Sequence, residues 1–143
     1  MPYAFIEDMA TADIAFHAWG QNLEETFISA VDATINVMVE ELESIQPRER
    51  REFELMNETL DLLLFDLLQE LIYFKDAEQL LLRLHQLQIV ADRSPYILKA
   101  IALGEKLDPD RHRQRVDVKA VTLHRFLLEK TAGGWEATVI LDI

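Results

Sequence analysis

Apolar and polar positions alternate through residues 13–19, with Ile14, Phe16 and Ala18 on one side and His17 and Trp19 on the other. Period two over that length predicts a half-buried strand, and Gly20 ends it. The run Tyr3–Ile6 reads as a short strand before it. Beyond Gly20 the period changes. Asn22 stands three residues before Glu25, the spacing of a capping box, in which the Asn side chain accepts from a first-turn amide and the Glu reaches back. Leu23, Phe27, Ala30, Val31, Thr34, Ile35 and Met38 then recur at intervals of mostly three and four, forming one helical stripe. Pro47 marks a loop, and residues 51–55 predict another strand.

Asn57 is the next candidate N-cap, and residues 59–74 are unusually apolar. Only Asp61, Asp66, Gln69 and Glu70 interrupt a run rich in leucine, which predicts a central helix, the more buried of the two. The rest of the chain reads as β. Residues 80–91 and 96–104 flank a turn at Asp92-Arg93-Ser94-Pro95, and residues 116–130 and 135–143 form a hairpin around Ala132-Gly133-Gly134. Strands and helices mix without regular βαβ alternation. The predicted class is therefore α+β: a single domain over residues 1–143, with two helices on a mixed or antiparallel sheet.

Composition narrows the chemistry more than the fold. With 143 residues, half of them hydrophobic, the chain is long enough to bury a core. No apolar run approaches membrane-spanning length, and the N-terminal residues lack a signal-peptide layout, so no membrane association and a cytoplasmic location are expected. The absence of cysteine excludes disulfides, thiolate zinc sites and cysteine nucleophiles. A net charge of −12 argues against broad electrostatic binding of nucleic acid. One segment runs against that balance, where Arg111, His112, Arg113, Arg115, Lys119, His124 and Arg125 face a single acid, Asp117.

No phosphate-cradling glycine loop, nucleophile elbow or His-Glu-x-x-His helix is present. His17, His85 and His124 fall on predicted strands, where a surface or hydrogen-bonded imidazole is the ordinary outcome. The carboxylates are more suggestive. Asp13 opens one strand; Asp142 closes the last, and the Ile143 carboxylate follows it. If those strands are antiparallel neighbours, three carboxylate groups meet. Such a cluster repels itself unless a proton or cation binds, and oxygen-only ligands select hard ions such as calcium or magnesium over zinc.

Several segments together carry a family likeness: Thr11-Ala12-Asp13-Ile14; Gly104-Glu105 with Asp108, Arg111 and His112; Val118-Lys119-Ala120-Val121-Thr122 with His124; and Val139-Ile140-Leu141-Asp142-Ile143. Across its whole length the chain resembles archease. The resemblance implies a non-enzymatic protein cofactor of the RtcB-type tRNA-splicing ligase. That ligase joins RNA ends bearing a 2′,3′-cyclic phosphate or 3′-phosphate to 5′-hydroxyl ends after GTP activates a ligase histidine. Archease is understood to promote that guanylylation and multiple turnover, reaching RNA only through the ligase. The resemblance also implies a divalent cation, calcium with magnesium or manganese as alternatives, held by Asp13, Asp142 and Ile143. Lys119, Arg111, His112 and Arg115 are candidates to touch phosphate or the ligase. One departure stands out, for the family's usual His-Thr-Ala-Asp reads Ala10-Thr11-Ala12-Asp13 here. The competing reading is a stand-alone metal-dependent phosphoesterase or nucleotide hydrolase using the same carboxylates.

Overall fold

The computed structural model describes residues 2–6 and 13–143. Its elements run β1 (Tyr3–Ile6), β2 (Asp13–Gly20), α1 (Leu23–Met38), a 3₁₀ turn (Leu42–Ser44), β3 (Glu49–Asn57), α2 (Leu60–Glu78), β4 (Leu80–Val90), β5 (Tyr96–Lys106), β6 (Ala120–Thr131) and β7 (Gly134–Asp142). The strands form two sheets, β1-β2-β7-β6 and β3-β5-β4, and every pairing is antiparallel. The expected α+β class and two helices are borne out, with two sheets in place of one. Each helix packs against strands of both sheets, and one hydrophobic cluster draws on all of these strands and both helices.

The capping box forms as the sequence predicts. Asn22 Oδ1 accepts the Glu25 amide at 2.9 Å, and Glu25 Oε1 accepts the Gln21 amide at 3.5 Å. Asn22→Ala is expected to cost about 1 kcal/mol. Urea unfolding should show this as a lower midpoint with an unchanged slope.

Which helix is more enclosed comes out opposite to expectation. In α1, 12 of 16 residues are buried, against 7 of 19 in α2. Small hydroxyl residues make this possible by bonding back along the helix. Thr26 Oγ1 donates to the Asn22 carbonyl at 3.0 Å, Ser29 Oγ to Glu25 at 2.8 Å and Thr34 Oγ1 to Ala30 at 2.9 Å. Their polar atoms are thus satisfied within the helix, so faces that look wet in sequence can pack. The cap of α2 also differs, since Thr59 takes the N-cap position. Asn57 ends β3 and donates to Asp66 at 2.8 Å.

Strand bounds shift where other partners compete. Residues 116–119 do not extend β6. The Arg115 and Val116 amides donate to the Met38 and Val37 carbonyls at 2.9 and 3.4 Å, satisfying the C-terminal turn of α1. Lys75 Nζ, on α2, takes the Val118 carbonyl at 2.8 Å. With those groups engaged, pairing with β7 begins only at Ala120.

Candidate functional site

The β2–β7 register sets Asp13 directly opposite Asp142, while Ala120 of β6 lies opposite Asp142 on its other side. Cross-strand partners project from the same face, so one row of the first sheet reads Asp13, Asp142, Ala120. Both aspartates are half-buried. Among the described residues neither forms an ion pair. Like charges directly opposite across strands are destabilising. A cation is the simplest relief.

Two further residues complete this sheet end. The Lys119 amide donates to the Asp142 carbonyl at 2.8 Å, which ties the start of β6 to the end of β7, and the Lys119 residue is exposed. Ile143 follows the period of Val139 and Leu141, and its half-buried side chain packs against the core. That anchor restrains the main chain immediately beyond Asp142. The donor set fits a hard divalent cation by type, because the two opposed aspartates offer only oxygen. Among the described residues, no three His, Asp or Glu side chains gather as a ready-made metal cluster. The Ala10-Thr11-Ala12 segment lies outside the described residues.

The basic connection contains corrections. The structure stitches this segment to the end of α1. Its Arg115 amide bonds to Met38, its Arg113 carbonyl accepts from Glu40, and Arg115 Nη1 donates to the Asn36 carbonyl at 3.3 Å. His112 is only 1% exposed, so the expectation that it touches a partner is corrected: its ring is an interior group. Its Nδ1 accepts the Asp108 amide at 2.8 Å, which leaves Nε2 to donate to Glu105 Oε2 at 2.9 Å. Arg111 turns inward too, onto Glu105 and the Ser44 carbonyl. His17 is satisfied on its strand, 3.0 Å from Thr138 Oγ1.

Two buried charges organise this region. Glu105 is 3% exposed. It receives Arg111, the Gln46 amide at 2.7 Å, His112, and Arg48 at 3.2 Å. Burial alone would raise its pKa, but Arg111, the Gln46 amide and His112 outweigh that and hold it down to about 2. Lys75 is 8% exposed and pairs with Asp117 at 2.6 Å and with Asp76. Burial opposes its charge, yet the two aspartates hold its pKa above the ordinary lysine value. Lys75 thereby pins the approach to Lys119. Its signal was legible, since it continues the Leu64, Leu67, Leu68, Leu71, Ile72 stripe at helical spacing. Glu105 has no local signal, because what buries it folds back from residues 108–112.

Residues 3–143 match the Archease protein family (MTH1598/TM1083). The Protein archease of Methanosarcina mazei is 39% identical over 142 residues, covering 99% of this chain and 95% of that one. The Protein archease of Pyrococcus abyssi is likewise 39% identical, over 93% of this chain and 94% of its own. The solution structure of Methanobacterium thermoautotrophicum protein 1598 superposes with a TM-score of 0.84 at 32% identity, covering 99% of each chain. The Thermotoga maritima crystal structure, described as an archease and possible chaperone, shares the fold with a TM-score of 0.65 at 19% identity. It covers 94% of this chain and 93% of its own.

Proposed function

The chain belongs to the archease family, and on that premise we propose that it serves as a protein cofactor of an RtcB-type RNA-splicing ligase. It promotes guanylylation of the ligase by GTP and multiple turnover, without forming the RNA bond itself. The observation that carries this reading is the cross-strand pairing of Asp13 with Asp142. These are the two aspartates the resemblance assigns to the cation, and they share one row of one sheet face.

Asp13 and Asp142 hold the cation, calcium by preference with magnesium or manganese as alternatives, together with the Ile143 carboxylate. When bound, a hard cation neutralises the acidic row and offers a Lewis-acidic point to phosphate oxygens. The chain's own residues do the rest. Ile143 anchors the end of β7 through its side chain. Lys119, exposed beside Asp142, pairs with phosphate or with a ligase carboxylate. Arg115, exposed on the stitched connection, is a second contact, and Arg111 one only through what its Glu105 pairing leaves accessible. RNA is met through the ligase.

The test is ligase–GMP formation from GTP with purified ligase, with and without the chain. The parent should accelerate it, and Lys119→Ala should lower the acceleration about tenfold, the scale of one charge-assisted hydrogen bond. A variant lengthened by one residue after Ile143 should lose it too, since only the terminal carboxylate moves. No acceleration by the parent would sink the reading. GTP turnover by the chain with calcium or magnesium and no ligase would favour the phosphoesterase instead.

A further inference from the structure

The opposite end of the first sheet carries its own unpartnered chemistry. Trp19 on β2 lies across from Glu136 on β7, and Glu136 lies across from Glu129 on β6. One row of one face therefore reads tryptophan, carboxylate, carboxylate. The row lies six residues along β2 from Asp13, about 20 Å at the rise of a strand, so the two ends are separate surfaces. Trp19 is 43% exposed, a large apolar ring left in solvent. Neither Glu129 nor Glu136 forms an ion pair among the described residues. Two carboxylates directly opposite each other repel.

The row opens on a concavity of about 460 Å³ whose walls include Trp19, Trp135, Gly20, Thr131 and Glu136. Its frame is fixed from behind by α1. Ser29 Oγ donates to the Trp19 carbonyl at 3.2 Å, and Thr26 Oγ1 to the Trp135 carbonyl at 3.3 Å. The hairpin backbone at Gly134 lies against Gly20 so closely that a Cβ there would stand 2.0 Å from the Gly20 carbonyl oxygen. Both tryptophans thus sit on restrained backbone, and little ordering is left to be lost on binding.

We propose that this concavity is a docking pocket for an arginine side chain presented by a protein partner. The chemistry selects the occupant. An indole face attracts a cation, and guanidinium stacks on it better than ammonium does. The Glu136 carboxylate, on the cross-strand partner of Trp19, can accept the same fork in a bidentate pair. A chain of net charge −12 also draws basic surfaces toward it. Lysine satisfies only the charge, and an uncharged planar urea only the shape. Arginine alone meets both walls.

The chain contains two tryptophans, so an amide-type NMR spectrum carries two indole N–H signals: Trp19, on the face of the carboxylate row, reports on the pocket, and Trp135, which alternation along β7 turns to the opposite, core-packed face, serves as the internal reference. The probe is the peptide acetyl-Gly-Arg-Gly-amide, titrated alongside its citrulline and lysine counterparts. The Trp19 indole signal should move saturably with the arginine peptide while the Trp135 signal moves far less, the lysine peptide should bind more weakly, and the citrulline peptide should bind at least about tenfold more weakly. Glu136→Gln should reduce arginine binding by a similar factor with both indole signals retained, which shows the fold intact. In Trp19→Ala the Trp135 signal should stay put on titration. Equal response to arginine and citrulline, or no saturable movement of the Trp19 indole, would overturn the proposal. The assay uses neither ligase nor metal, so its failure leaves the proposed function standing and its success does not require it.

Discussion

Replacing Glu105 with glutamine is expected to lower stability by about 3 kcal/mol at neutral pH, the scale of leaving buried charges without their counter-ion. In a chain of this size that corresponds to a fall in Tm of about 10 °C. The reason lies in the donors around it. Oε1 receives Arg111 and Arg48, and Oε2 receives His112 and the Gln46 amide. All four partners donate. An amide must turn its NH₂ toward one of those pairs, so donors face donors in the interior whichever way it points. The loss would spread, because Glu105 fastens residues 108–112 and the 3₁₀ turn onto β5.

The same site predicts how stability responds to acid. Its folded pKa is depressed to about 2 from an ordinary value of 4.5. The contribution of Glu105 is therefore complete above about pH 4.5 and disappears as pH falls toward 2. Calorimetry across that window should show the parent losing more stability than Glu105→Gln, the two curves converging in acid. Parallel curves would mean that Glu105 is not the group whose protonation matters.

What could be read from the sequence, and what could not, follows from how far the relevant contacts reach. The alternation of Ile14, Phe16 and Ala18 found its strand because one face of β2 meets the core, and burial of one face fixes period and register together. The capping box was equally plain, since both halves lie within one turn. The failures are of another kind. Residues 116–119 have strand-like composition, yet the Val116 amide is taken by α1 and the Val118 carbonyl by Lys75, about 40 to 80 positions away, and only the Lys119 amide reaches β7. His112 looked exposed because its neighbours are charged. Its burial comes from Glu105, which no local pattern marks as interior. The acidic row was legible in outline, since both aspartates close strand patterns. That they are direct partners, and that Trp19, Glu136 and Glu129 form a second row, depends on the β2-β7-β6 order, which period-two patterns do not specify.

Asp142→Asn is expected to separate the cost of the acidic row from its use. Without metal, the variant should be as stable as the parent or slightly more so, because one of two opposed carboxylates is neutralised while shape is kept. With calcium the order should reverse. An ion that binds only the folded parent at one hundred times its Kd stabilises it by about 2.7 kcal/mol, a rise in Tm of roughly 8 to 10 °C. The variant should show little or none of that rise. Stimulation of ligase guanylylation should fall about 10- to 100-fold in parallel, the range seen when a metal site is weakened. The combination is diagnostic. A general folding defect would lower the metal-free Tm, whereas a row built for a cation loses only its response to the cation. If the variant keeps the calcium-induced rise, Asp142 is not a ligand and the assignment fails. If it loses the rise yet stimulates the ligase like the parent, the ion serves only to hold β7 against β2. In that case Lys119, tied by its amide to the same Asp142 carbonyl, becomes the residue that meets the ligase.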